Sequence, residues 1–256
     1  MTFYNPTSSL KLAGKVLVVP VVSVANVAQL AADLLITSLA LDRVGVFDPK
    51  FLVPVVGARE DGLPGITTPL ELYANESQNI AVVQQRSPAL KAFKQEFVDA
   101  LLHFISTSGV SAVLFLGGVD MSNRTDSQML SPTCHIIPAT SAPISPSPLS
   151  ALAELPIPAY ASPVPQFIQA DADDKRIPFI PGGGLSRRIL SSIPNTWQIP
   201  AVCLLQYVME GDNRGDAQLM AAVASKVLKF DVRSWKQPGS WTQGLFGAPH
   251  DQTLYG

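Results

Sequence analysis

With 256 residues, 47% of them apolar and only 15% charged, the chain can fill a sizeable core in one large α/β domain or two small ones. Its net charge of −2 gives no electrostatic reason to bind nucleic acid or acidic lipid, and no apolar run is long enough to span a bilayer. Cys134 and Cys203 stand far apart without disulfide or metal spacing, which fits a reducing compartment, so a cytoplasmic and nuclear protein is expected.

The opening MTFYNPTSSLKLAGK lacks a basic stretch followed by an apolar one, so no signal peptide is expected. Val16 to Val19 form a run without a polar face, as suits a strand covered on both sides in a parallel sheet. Pro20, which has no N–H to donate, should stop its ladder. Ser23 reads as a helix N-cap, and Val24, Val27, Ala31, Leu34, Leu35 and Ser38 mark the apolar stripe of the helix that follows. Asn26, Gln29 and Asp33 fall mostly off that stripe. A buried strand running into an amphipathic helix is the first half of a βαβ unit.

Val44–Phe47 and Phe51–Val56 read as short strands around an Asp48-Pro49 turn, and Gly57–Thr68 as a loop. Leu70–Tyr73 and Ile80–Gln84 read as further strands, separated by a turn at Asn75–Gln78. Ser87-Pro88 signals a helix start, Phe93, Phe97, Leu101 and Phe104 keep the helical period, and Gly109 suits its C-terminal cap. Ala112–Leu116 is again apolar and is expected to end at Gly117-Gly118. Residues 132–165 hold nine of the 22 prolines and read as an irregular, partly ordered crossover or insertion. Ile177–Pro181 reads as a short strand, Gly182–Gly184 as a tight turn, and a helix is expected from about Leu185. Ile199–Val208 is the last candidate central strand. Glu210–Asn213 is a polar turn, and Leu219, Val223, Val227 and Phe230 mark the final helix. The domain is thus expected over 1–233, with 234–256 an extended C-terminal tail.

Candidate chemistry is sparse. Gly182–Gly184 before a helix could cradle a phosphate, yet the stretch is neither the dinucleotide fingerprint nor a P-loop, and glycines that permit a sharp turn are the plainer reading. His103, His135 and His250 have no partner at triad or ligand spacing, and Glu210, Asp212 and Asp216 are explained by helix capping as well as by acid–base work. No catalytic, cofactor-binding or metal-binding residue is therefore expected. The chain ends Leu254-Tyr255-Gly256, a hydrophobic residue, a tyrosine and a terminal carboxylate. Such an end can bury a ring in a pocket and offer its carboxylate to a lysine, or simply fray.

Five segments resemble the PAC2 family. They are VPVVSVANVAQLAADLLITSL, FLVPVVG at Phe51–Gly57, IPGGGL at Ile180–Leu185, VMEGDN at Val208–Asn213, and the W…PGSW…LFG pattern from Trp235 to Gly247. The resemblance implies a single α/β domain with a mostly parallel central sheet flanked by helices, nucleoside-phosphorylase-like in layout and without enzymatic activity or cofactor. It also implies a heterodimer with proteasome assembly chaperone 1, seated on the outer face of the α-subunit ring of the 20S proteasome. There it would help the ring form and block premature capping. Leu254, Tyr255 and Gly256 match the family's hydrophobic–Tyr–x terminus, which docks between α subunits. The alternative is a phosphate- or nucleoside-binding protein or enzyme using the Gly182–Gly184 turn.

Overall fold

The computed structural model describes residues 2–163 and 177–243. In chain order the strands and helices are β1 (Tyr4–Pro6), β2 (Val16–Pro20), α1 (Val27–Ser38), β3 (Asp42–Phe47), β4 (Gly57–Ala58), β5 (Ile66–Thr67), β6 (Leu70–Ala74) and β7 (Ile80–Gln85). They continue with α2 (Lys94–Thr107), β8 (Ala112–Asp120), β9 (Thr133–Ile136), α3 (Gly184–Ser191), β10 (Ala201–Val208) and α4 (Arg214–Val227). Eight strands form one sheet in the order β1-β3-β6-β7-β2-β8-β10-β9, and β4 and β5 make a separate hairpin.

Strands β7, β2, β8 and β10 are mutually parallel at the sheet's centre, and the flanking strands join antiparallel. That centre is why β2, β7 and β10 lack a polar face: helices cover both sides. Alternation then divides β2 between two cores. Leu17 and Val19 pack with Phe47, Phe97, Leu101, Phe115 and Ile189 on the α2–α3 side. Val16 and Val18 pack with α1 and α4 on the other. The α1–α4 seam is built from Ala28, Ala31, Ala32, Ala217, Ala221 and Ala224, all fully buried. Small side chains let the two backbones approach closely.

Several expectations change because tertiary contacts override local pattern. Phe51–Val56 is not a strand: Pro49–Phe51 is a 3-10 turn, and Leu52 alone makes a bridge, with Ala89. The same pairing holds Ser87–Leu90 extended, so the helix starts after the 3-10 turn Lys91–Phe93 rather than at Pro88. Gly57–Thr68 contains the β4–β5 hairpin. β8 runs through Gly117-Gly118 to Asp120. Ile177–Pro181 forms no strand.

The proline-rich stretch supplies β9 and a 3-10 turn, Ser150–Glu154. Its Pro158–Tyr160 segment bonds to both backbone groups of His135, covering the sheet's edge. Ser234–Gln243 is not extended throughout: Gly239–Gln243 is a 3-10 turn, and Trp241 is buried in the α1–α4 core. Among the described residues no helix is long and apolar enough to cross a membrane.

Candidate functional site

The C-terminal ends of β2, β8 and β10 meet at one end of the sheet, the position where open α/β sheets place their sites. Ser23 does not cap a helix there. Its backbone is extended, its hydroxyl donates to Val21 O at 3.1 Å, and its Oγ accepts from the Gly118 N–H at 2.7 Å. Ala25 and Asn26 then turn left-handed, with φ of 60° and 52°, and α1 starts at Val27. Asn tolerates that region, whereas Ala in it is strained by about 1–2 kcal/mol. The Ala25 N–H donates to Glu210 Oε1 at 3.0 Å, and the Val24 N–H donates to Gly182 O at 3.3 Å. Three segments far apart in sequence are thereby tied into one corner.

The glycines of this corner make room for neighbours. A Cβ on Gly118 would lie 2.8 Å from Val24 O, and one on Gly182, which has φ +71°, would lie 2.9 Å from Val24 Cβ. On the opposite face a Cβ on Gly117 would lie 2.9 Å from Ser186 Oγ, which is buried without a hydrogen-bond partner. Gly182 thus permits the turn and Gly183 closes it, its N–H donating to Ile180 O at 3.0 Å. Val24 fills the space beside Gly182, while the space beside Gly184 is open. Around the same end, Phe179, Met129, Met209 and Leu130 expose large apolar side chains, Leu130 by 92%. Unbranched methionines suit an adaptable protein contact.

Other candidates disperse. His103 is exposed on α2, and His135 sits in β9 with Nδ1 3.0 Å from Ile157 O, burial holding its imidazole below the usual value. Asp212 pairs with Arg214 at the surface. Cys134 and Cys203 are free and buried, and burial pushes the Cys134 thiol up to about 12.

The root of the C-terminal segment is fixed on the α1 side. The Lys236 N–H donates to Ser38 Oγ at 2.9 Å, the Ser240 N–H donates to Glu60 Oε2 at 3.2 Å, and Trp241 is only 4% exposed. Leu254, Tyr255 and Gly256 lie outside the described residues, as does His250.

Beside that root lies a polar cluster that sequence reasoning missed. Asp33 Oδ1 accepts from Gln84 Nε2 at 2.6 Å and from Arg86 Nη2 at 3.2 Å. Glu71, with no exposed surface, accepts from Arg43 at 2.8 Å and from the Tyr73 hydroxyl at 2.7 Å. Burial raises the Asp33 carboxyl above its usual range, while Arg86 pulls it down. These residues come from α1, β3, β6 and the end of β7. A charge beside a helical stripe was the sole local clue.

The sequence profile described as the PAC2 family matches residues 17–234. Proteasome assembly chaperone 2 of Xenopus tropicalis is 32% identical over 250 residues, covering 91% of each chain. The Homo sapiens protein of that name is 28% identical over 261 residues, covering 95% of this chain and 96% of the relative. Among solved structures, Pyrococcus furiosus PbaA, an archaeal homolog of proteasome-assembly chaperone, superposes with a TM-score of 0.64 at 18% identity, covering 90% of this chain and 87% of its own. PbaB of that organism, an archaeal proteasome activator, gives 0.60 at 12% identity, with 91% of each chain covered. At these identities the two structures bear on the fold alone.

Proposed function

The chain belongs to the PAC2 family, and from that premise we propose that it is a chaperone of 20S proteasome assembly. It acts without catalysis, as a heterodimer with proteasome assembly chaperone 1 on the α-subunit ring, in the cytoplasm and nucleus. The observation that carries this reading is similarity to proteins named proteasome assembly chaperone 2 over nine-tenths of both chains. The packing of Val24 against Gly118 and Gly182 gives those glycines a role in the fold that needs no ligand.

The division of labour follows from linkage. A folded body offers broad contacts, and the tail adds a tethered one: Leu254 and Tyr255 enter a pocket between α subunits, and the carboxylate of Gly256 meets a cation there. Joining two weak contacts raises effective concentration without demanding a tight tail. The ten residues from Gly247 onward span roughly 33 Å when extended, enough to reach a pocket beyond the body's own footprint. Deleting Leu254–Gly256 should weaken binding of the heterodimer to α rings on the order of a hundredfold, with the melting temperature unchanged. Equal ring affinity for the full-length and shortened chains in a sedimentation or interferometry assay removes the tail from the mechanism.

A further inference from the structure

A cavity of about 280 Å³ lies between the C-terminal half of α1, the β4–β5 hairpin and the turn at Pro238–Gly239. Its walls carry the acids Asp33, Asp42, Glu60 and Asp61 and the bases Arg59 and Arg86. Both bases are already engaged: Arg59 Nε donates to Asp61 Oδ1 at 2.9 Å, and Arg86 holds Asp33. Asp42 and Glu60 pair with no cation among the described residues, so the lining is left with two negative charges to balance.

Hydrogen-bond capacity is unbalanced in the same direction. Asp33 is 8% exposed and lines the cavity, yet its two hydrogen bonds both fall on Oδ1, leaving Oδ2 without a donor among the described residues. Asp33 Oδ2 is thereby left free to accept from a donor that enters the cavity. The hairpin that walls the cavity also exposes Val56, Leu63 and Ile66, by 74%, 59% and 53%. The described chain stops at Gln243, four residues beyond Gly239, and thirteen residues follow. A surface gripped by their tip lies within roughly 45 Å of this face.

We propose that this cavity is a socket for one lysine or arginine side chain on the protein surface to which the body docks. The cationic head enters beside Asp33 and Glu60, and apolar neighbours of that residue meet Val56, Leu63 and Ile66. The donor's identity as an α-ring surface rests on the proposed function, whereas the socket itself is independent of it.

The test has two arms. In the first, n-butylguanidinium is titrated into the intact chain and followed by amide NMR. Saturable shifts at Thr37, Glu60 and Gly239 are expected, and they weaken about fivefold in an Asp42→Asn/Glu60→Gln variant, whose altered side chains are exposed and whose amide oxygen at position 60 can still accept from the Ser240 N–H. Shifts at those amides from butanesulfonate instead, or from neither compound, overturn the socket, the second result leaving a water-filled cavity only. In the second arm, the same double variant is made in a chain lacking Leu254–Gly256 and bound to α rings. A further loss of about fivefold, abolished by high salt, is expected. Guanidinium binding with unchanged ring affinity overturns the ring as the donor, and a failed tail deletion in the full chain bears on the tail alone.

Discussion

Gly182 and Val24 share one small volume, and a methyl group on the first would lie 2.9 Å from Cβ of the second. Gly182→Ala combines a left-handed penalty with overpacking, and should cost about 2–4 kcal/mol. In a Val24→Gly background, where that Cβ is gone, the steric part disappears and about 1–2 kcal/mol remains. A urea double-mutant cycle measures this coupling, and strict additivity would mean the two side chains do not compete. Asp33 gives a pH signature. Its native carboxyl is raised, chiefly by burial, so the native state holds that proton more tightly than the unfolded chain. The contribution is therefore fully present below the ordinary carboxylate value and is lost as pH rises through the native one. Wild type should gain stability relative to Asp33→Asn on acidification from about pH 7 towards about pH 4. Parallel denaturation curves across that range would show that Asp33 titrates as in the unfolded chain. Asp61, Asp120 and Asp212, whose carboxyls are held low by hydrogen bonds, occur in both proteins and cancel. At this scale the sequence was readable only where a residue type has one main use. Three glycines announced a turn, but nothing in Ser23 or Glu210 announced bonds to Gly118 and Ala25.

Strands β2, β7 and β10 and helix α2 were legible because each carries its own period or an unbroken apolar run. Gly109 also marks the end of α2, adopting φ +76° just past Ser108. Elements whose shape depends on a distant partner were not legible. β8 continues through Gly117-Gly118 because β10 pairs with it as far as Asp120, which no local pattern encodes. β9 lies in a stretch that composition marks as irregular, and exists because β10 offers it an edge. Trp241 shows the same dependence: a Trp-, Pro- and Gly-rich stretch reads as tail, yet its indole sits in the core with α1 and α4. Trp241→Ala should cost about 3–5 kcal/mol in chemical denaturation. A loss within about 0.5 kcal/mol, the range of ordinary surface substitutions, would show that the segment merely rests on the body.

Taken whole, the molecule is two helical layers on a mixed sheet, with one end of the parallel strands tied into a corner and the C-terminal segment strapped across the α1 side. That arrangement separates functions in space. The deletion of Leu254–Gly256 removes a contact without touching the core, whereas any cut before Trp241 opens it. Fold class and family were within reach of the sequence because they rest on apolar runs and glycine-bearing segments spread along the chain. The acid-lined cavity was not, because its walls come from α1, β3, the hairpin, β6, β7 and the strap. The position of β10 has a further consequence, for biogenesis. This strand is made after β9 yet lies between β8 and β9. A nascent polypeptide that has reached Pro200 therefore has a sheet that ends at β8, and a β9 segment with no strand to pair with. The apolar β8 strand keeps one unpaired edge on the ribosome until Ala201–Val208 is made, so the newborn chain should depend on general holding factors late in translation rather than early.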